Sequence, residues 1–484
     1  MLLSFTVSNF RSFREEQAFS MVASNYQKDH ADHLSPIPDD NNKTLPVAAI
    51  YGANGAGKTN LVKALNFLKT LVVQGTEPKK AISRQPFLLD KTGTSDPTEF
   101  KVLFCQGSHV FQYGVRVSDT HVLAEWLLLV RNTKEIVVFE RATDEAGNVK
   151  VKCGPVLTED TWGNHRTVAA LAQVGALENQ LFLHAISKTV RETHQGPIIE
   201  AVLSWFLNRL VIVGANTTVA NLIEVISRDL SFTDFAGRFL RDVATGVDTL
   251  RADTIEIDET TLASLGWAPR IQEAFNNLEP GHTMVVPSAD GWSAQLILEK
   301  GEDNKVRVRT LVAEHRTTDG SRMNLPFAEE SDGTQRLVHL LPALYRPVSY
   351  PCVFVIDEID RSLHPLLSKG FVREFLKLCG GAGKGNQLIF TTHDTAFLDL
   401  DLLRRDEIWF AEKKPGKSAT ELYSLADFKV RTDLKIDKSY MQGRFGAVPP
   451  SQAEFPDWVN KIIAELKQPR ADNDSGADGN DTKP

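Results

Sequence analysis

Two short motifs carry the chemistry that can be read from this chain. Gly52-Ala53-Asn54-Gly55-Ala56-Gly57-Lys58-Thr59 meets every fixed position of the phosphate-cradling pattern G-x-x-x-x-G-K-[ST]. Its glycines let the backbone curl until successive N–H groups point at one anion, and the N-terminus of the helix that follows adds partial positive charge there. Lys58 would reach the β- and γ-phosphates of a nucleotide, and Thr59 would ligate Mg²⁺. Asn54, Gly55, Ala56, Gly57 and Asn60 complete the cradle. Far downstream, Cys352-Val353-Phe354-Val355-Ile356-Asp357-Glu358 is an apolar run ending in two carboxylates. Asp357 is suited to hold the metal through water, and Glu358 to polarise an attacking water as general base.

Other residues fall in order around this pair. Glu329-Glu330-Ser331-Asp332-Gly333-Thr334-Gln335-Arg336 is a small polar turn before the apolar run that starts at Leu337. At a helix N-terminus, Ser331, Gly333 and Gln335 could cap a γ-phosphate. Gln387-Leu388-Ile389-Phe390-Thr391-Thr392-His393-Asp394 is a second buried strand, and His393 at its end could contact the γ-phosphate and sense its loss. Between them, Asp360, Ser362 and His364 lie in the short loop that follows the two carboxylates.

These groups need elements to position them. Val47-Ala48-Ala49-Ile50-Tyr51 reads as a strand entering the glycine loop, and the apolar spacing after Asn60 reads as the helix leaving it. The 4-residue apolar core of the carboxylate run, without alternation, predicts a fully buried parallel strand. Alternating segments at 100–104, 110–117, 127–130 and 136–140 predict an antiparallel β-region. Ile199, Val202, Leu203, Phe206, Leu207 and Leu210 recur at helical spacing, no sustained heptads follow, and strands return near 284–286, 294–298 and 306–308. The expected organisation is therefore a first half of a nucleotide head with its β-region over 1–160, a helical insertion over 161–282, and the second half over 283–450. A C-terminal helix over 451–470 and a disordered acidic tail over 471–484 complete it.

Composition sets bounds. The chain has 484 residues, 42% hydrophobic and 24% charged, which is ordinary for a globular protein. No apolar run is long enough to span a bilayer, and the N-terminus alternates like a strand and lacks a signal-peptide layout. The 4 cysteines are scattered without metal-like spacing, which suggests a reducing cytoplasmic setting. A net charge of −8 gives no global electrostatic case for nucleic-acid binding.

Together the motifs resemble those of ABC-type ATPases of the repair and chromosome-maintenance group. They are most similar to the AAA family ATPases related to the overcoming-lysogenization-defect proteins. The resemblance rests on the glycine loop, Asp357-Glu358, His393, the opening Asn9-Phe10-Arg11-Ser12-Phe13, and Ser331-Asp332-Gly333-Thr334-Gln335-Arg336 as an S-x-G-T-x-R signature. It implies an α/β fold: an ABC-type P-loop ATPase head with a mixed sheet and an antiparallel β-region, plus an inserted mainly helical lobe. It implies ATP and Mg²⁺ as ligands, Arg11 as a nucleotide contact, and catalytic roles for Lys58, Glu358 and His393. A metal-contacting glutamine is expected between the glycine-loop helix and the β-region; Gln85 stands there, with Gln112 as a rival and a surface role for Gln85 as the alternative.

The same resemblance implies a homodimer or higher oligomer with ATP sandwiched between heads. It also implies a sensor or scaffold in bacterial anti-phage, abortive-infection modules (PARIS-type ATPase subunits are one such arrangement). Such a chain would control a separately encoded nuclease or toxin, with a phage protein as a possible trigger. Related nucleases carry a nuclease domain after the ATPase; here the segment after His393 is too short for one, so nucleolysis is expected from a partner. The alternative is a DNA-repair or chromosome-maintenance ATPase acting directly on DNA. Trp205, Phe206 and Trp267 are read as core rather than as base-stacking platforms. The basic clusters at 404–405, 413–414 and 431–438 and the His30-Ala31-Asp32-His33 run are read as solvated surface.

Overall fold

The structure is a computed structural model and describes residues 1–132, 134–159, 166–190, 195–215, 222–257, 273, 275–286, 296–301, 305–380, 385–414, 416, 418–429 and 434–449. The expectations for Trp267, for residues 431–433, and for the helix and tail from 451 onward lie outside the described residues.

The sheet that carries the site has six strands. Val47–Tyr51 lies between Gln387–Thr391 and Ile408–Glu412, all parallel. Val353–Ile356 pairs with the far side of Gln387–Thr391, and Leu210–Val213 pairs parallel with Val353–Ile356 as the edge. Glu421–Ser424 closes the other edge antiparallel to Ile408–Glu412. Val47–Tyr51, Val353–Ile356 and Gln387–Thr391 are buried at every position, which is what a parallel sheet covered on both faces demands. Three sequence-distant strands therefore end side by side. In open α/β sheets the carboxyl ends of adjacent parallel strands form the ligand crevice.

The antiparallel region is a seven-stranded sheet. In spatial order it runs Val149–Cys153, Lys134–Thr143, Val122–Arg131, His109–Val117, Thr98–Gln106, Leu2–Ser8 and Gln17–Ser20. The helix Lys58–Val73 buries Leu61, Val62, Ala64, Leu65, Leu68, Leu71 and Val72, and one apolar cluster joins it to both sheets. Phe67 on this helix packs against Phe10 and Phe100 at 5.6 and 5.7 Å between ring centres. Trp205 and Phe206 are core residues, as expected; Trp205 stacks on Phe104 at 4.2 Å. The four cysteines are free thiols, and burial pushes the Cys352 thiol up to about 11.

Two findings differ from the helical pattern expected through the middle. The helix Pro197–Ser204 runs into a wider π turn at Trp205–Arg209, and Leu210 then starts a strand. Parallel pairing with Val353–Ile356 outweighs the helical spacing that reaches Leu210. Val247–Ile257 is also a strand, in a five-stranded sheet with Val306–Arg316 at its centre. The helices Arg166–Val174, Phe182–Thr189, Leu222–Arg228 and Leu230–Asp242 do follow the helical expectation. Among the described residues no helix is long and apolar enough to cross a membrane.

Candidate nucleotide site

The glycine loop turns at the end of Val47–Tyr51 and opens directly into Lys58–Val73. Gly57 must be glycine twice over: its φ is +115°, and a Cβ there would lie 2.2 Å from Thr420 Oγ1. That threonine ties the loop down. Its hydroxyl donates to Ala56 O at 2.7 Å and can accept from Ser12 Oγ at 2.8 Å, and its N–H donates to Ser12 O at 2.7 Å. Asn60 Nδ2 also donates to Ser12 Oγ at 2.7 Å. The loop is thus braced by residues from both ends of the chain.

Lys58 is buried, and its ammonium donates to Gly52 O at 2.7 Å and Ala53 O at 3.3 Å. Burial lowers its pKa to about 8, against the opposing pull of Asp357, Glu358 and Asp360. A phosphate beside it would supply the anion that this buried cation lacks. Asn54 and Gly55 are exposed at the loop tip, where a ligand could meet their N–H groups.

The carboxylates meet the loop through hydroxyls. Asp357 is buried, and its Oδ1 accepts from Thr59 Oγ1 at 3.2 Å and from Thr391 Oγ1 at 2.6 Å. Thr391 Oγ1 also accepts from Glu358 N at 2.7 Å. Glu358 takes a left-handed backbone at φ +50°, an uncommon state for a non-glycine residue. Strain of this kind is found where a side chain has to be aimed. Asp360 carries one buried oxygen without a hydrogen-bond partner, and its other oxygen accepts from His393 N at 3.3 Å. The His393 ring is exposed. Partial burial, with Lys58 nearby, lowers its pKa below the ordinary imidazole value, against the opposing pull of Asp360, Glu358 and Asp357.

The polar turn sits where a cap was expected. Ser331 caps the helix Asp332–Leu340, accepting from Thr334 N at 3.1 Å. Gly333 lies against the 359–365 loop; a Cβ would come within 2.7 Å of Ser362 O. Gln335 folds back, donating to Glu330 O at 2.8 Å and Ala328 O at 3.2 Å. The next residue, Arg336, is buried and donates to Asp357 O at 2.7 Å and Glu358 O at 2.9 Å. Burial and the neighbouring Arg361 lower the Arg336 pKa to about 10.

The structure therefore gathers Lys58, Thr59, Asp357, Glu358 and His393 at the ends of three adjacent strands. Arg11 stands nearby in a tight turn with φ +51°, next to Ser12, and its N–H donates to Gln85 O at 2.7 Å. The Gln85 side chain is exposed, with no hydrogen bond to Thr59 or Asp357 among the described residues. Gln112 lies on the strand His109–Val117 of the other sheet. Sequence reasoning passed over Thr391, Arg336, Ser12 and Thr420. Thr391 and Arg336 stood inside motifs already noted, as polar residues at otherwise apolar helix and strand positions. Thr420 had no local signal, since its partner Ala56 lies 364 residues away.

The donor set fits Mg²⁺ and a nucleoside triphosphate. A threonine hydroxyl and a buried carboxylate share one point, a cationic amine lies beside the glycine cradle, and a second carboxylate follows the first.

The solved structure titled "Crystal structure of the SmcHead bound to the C-winged helix domain of ScpA" aligns with 87% of this chain and 97% of its own, at 13% identity and a TM-score of 0.33. No curated protein matches. Residues 47–167 and 220–399, more than half of the chain, match the family described as "AAA domain, putative AbiEii toxin, Type IV TA system". The chain belongs to that family.

Proposed function

We propose that this chain binds and hydrolyses ATP with Mg²⁺. The observation that carries the reading is the hydroxyl bridge through Thr391, which fixes the Asp357 carboxylate beside Thr59 and the backbone of Glu358 in one unit. Thr59 and Asp357 would hold Mg²⁺, which supplies charge neutralisation of the phosphate oxygens. Gln85 is the further candidate for the metal's shell. Lys58 and the N–H groups from Asn54 to Asn60 bind and orient the phosphates, with Arg11 as an added contact. Glu358 takes a proton from water, and His393 contacts the γ-phosphate. Ser331, Gly333 and Gln335 of a second copy would complete the site in a homodimer.

Within that reading the chain acts in the cytoplasm as an ATP-driven sensor or scaffold of a bacterial anti-phage, abortive-infection complex. It is related to the overcoming-lysogenization-defect and PARIS-type ATPases and controls a separately encoded nuclease or toxin. The matched family's description, which names a toxin and a type IV toxin–antitoxin system, supports this reading. The test is purification with the products of neighbouring genes, comparing mass and ATP turnover for wild type and Glu358→Gln. The expected result is a partner released on hydrolysis by wild type and retained by Glu358→Gln in an ATP-bound dimer. A lone dimer whose turnover rises only with DNA would overturn it in favour of direct action on DNA.

A further inference from the structure

The run His30-Ala31-Asp32-His33 reads as solvated surface in the sequence, but folding gives it a backing. One ligand atom from each of His30, Asp32 and His33 lies within 4.8 Å of the others. Asp32 is exposed, so the cluster opens to solvent. His30 Nε2 is 2.8 Å from Leu400 O. A carbonyl only accepts, so Nε2 must carry the proton and Nδ1 keeps its lone pair. His33 turns Nδ1 toward Glu407 Oε1 at 3.5 Å. Glu407 is fully buried; its Oε2 accepts from Arg404 N at 2.7 Å, while Oε1 has no hydrogen-bond partner. The Arg404 guanidinium is matched by Asp406, at 2.9 Å through both Nε and Nη2. The unpaired oxygen of Glu407 therefore faces His33 from behind.

We propose that His30, Asp32 and His33 form a divalent-cation site of the zinc class. Two imidazoles and one carboxylate are a zinc ligand set, with the fourth position open to water. In such sites each ligating histidine donates its other N–H to a carbonyl or a carboxylate, which sets the tautomer and raises ligand basicity. Leu400 O does this for His30, and Glu407 is placed to do it for His33 once the contact shortens. Tetrahedral zinc–nitrogen distances of about 2.1 Å set ligand atoms roughly 3.4 Å apart. Side-chain rotation that brings the ligand atoms closer by up to about 1.4 Å takes the cluster from within 4.8 Å to that spacing. The loop is already held here, because Arg404 donates to Gln27 O and Asp29 O and Asp406 accepts from Ser24 N. A bound cation would hold His30 and His33 against Leu400 O and Glu407, and so order the 24–34 loop on the segment that follows His393.

The test is competition between the purified full chain and a chromophoric zinc chelator, in excess Mg²⁺ so that Asp357 does not contribute. One zinc per chain is expected. His30→Ala/His33→Ala should weaken it by at least ~100-fold, and Glu407→Gln, which leaves the ligands intact, by about 10–100-fold. ATP turnover of both variants should stay near wild type, which shows that they fold. Wild type that takes up no zinc, or a double variant that binds it as tightly as wild type, overturns the site. Unchanged affinity in a folded Glu407→Gln overturns the role of the buried carboxylate.

Discussion

Thr391 Oγ1 donates to Asp357 Oδ1 at 2.6 Å, and the same oxygen accepts the N–H of Glu358 at 2.7 Å. One hydroxyl from the neighbouring strand thus sets both the carboxylate that faces the metal position and the backbone that aims the candidate base. Thr391→Val keeps the shape and removes both bonds. ATP turnover should fall by roughly 10–100-fold, as expected when the groups around a reacting centre lose their fixed geometry. The fold should lose about 1–3 kcal/mol, because Asp357 Oδ1 and Glu358 N lose a buried partner. Thr391→Ser should restore most of the turnover. Steady-state turnover and thermal melts of the three proteins check this; wild-type turnover in Thr391→Val would remove the threonine from the site.

Arg336 joins the polar-turn helix to the carbonyls of both Asp357 and Glu358. A lysine there carries the charge but lacks the planar fork that reaches Asp357 O and Glu358 O through Nη2 and Gly214 O through Nη1. Arg336→Lys should therefore lower turnover by about tenfold or more, one such contact being worth roughly 1.5–3 kcal/mol. ATP binding should change much less, since Lys58 and the glycine loop are untouched. Fluorescent-nucleotide titration beside turnover separates the two effects.

Gly57→Ala should abolish nucleotide binding. Alanine is strained at φ +115°, and its Cβ would strike Thr420. Adding Thr420→Ala removes the clash but not the backbone strain, so binding should recover only in part. Full recovery would assign the whole effect to the clash, and no recovery to the backbone.

His339 supplies a pH dependence. Burial, with Arg336 adding to it, lowers the His339 pKa to about 4 from an ordinary 6.5. Between those values the unfolded chain binds the proton more readily than the folded one, so stability is lost as pH falls from 6.5 toward 4. The full effect is about 3 kcal/mol at 1.36 kcal/mol for each unit of displacement. Denaturant unfolding of wild type and His339→Leu, followed from pH 7 to pH 4, should show wild type losing about 3 kcal/mol relative to the variant, because the leucine variant lacks this loss.

Much of the site is local and so was legible in the residues themselves. The glycine loop needs φ values and spacing that only its own eight residues supply, and the two carboxylates end an apolar run whose burial follows from its lack of alternation. The cap at Ser331 and the core role of Trp205 are equally short-range or compositional. What the tertiary structure decided is adjacency. Parallel strands pair without regard to separation along the chain, so only folding sets Val47–Tyr51, Gln387–Thr391 and Val353–Ile356 side by side and brings Thr391 onto Asp357. The same holds for Thr420 under Gly57 and Glu407 behind His33. It also explains why Leu210–Val213 became an edge strand despite its helical spacing: open backbone groups on Val353–Ile356 offered it a ladder, and helical periodicity reports burial but not the partner that provides it.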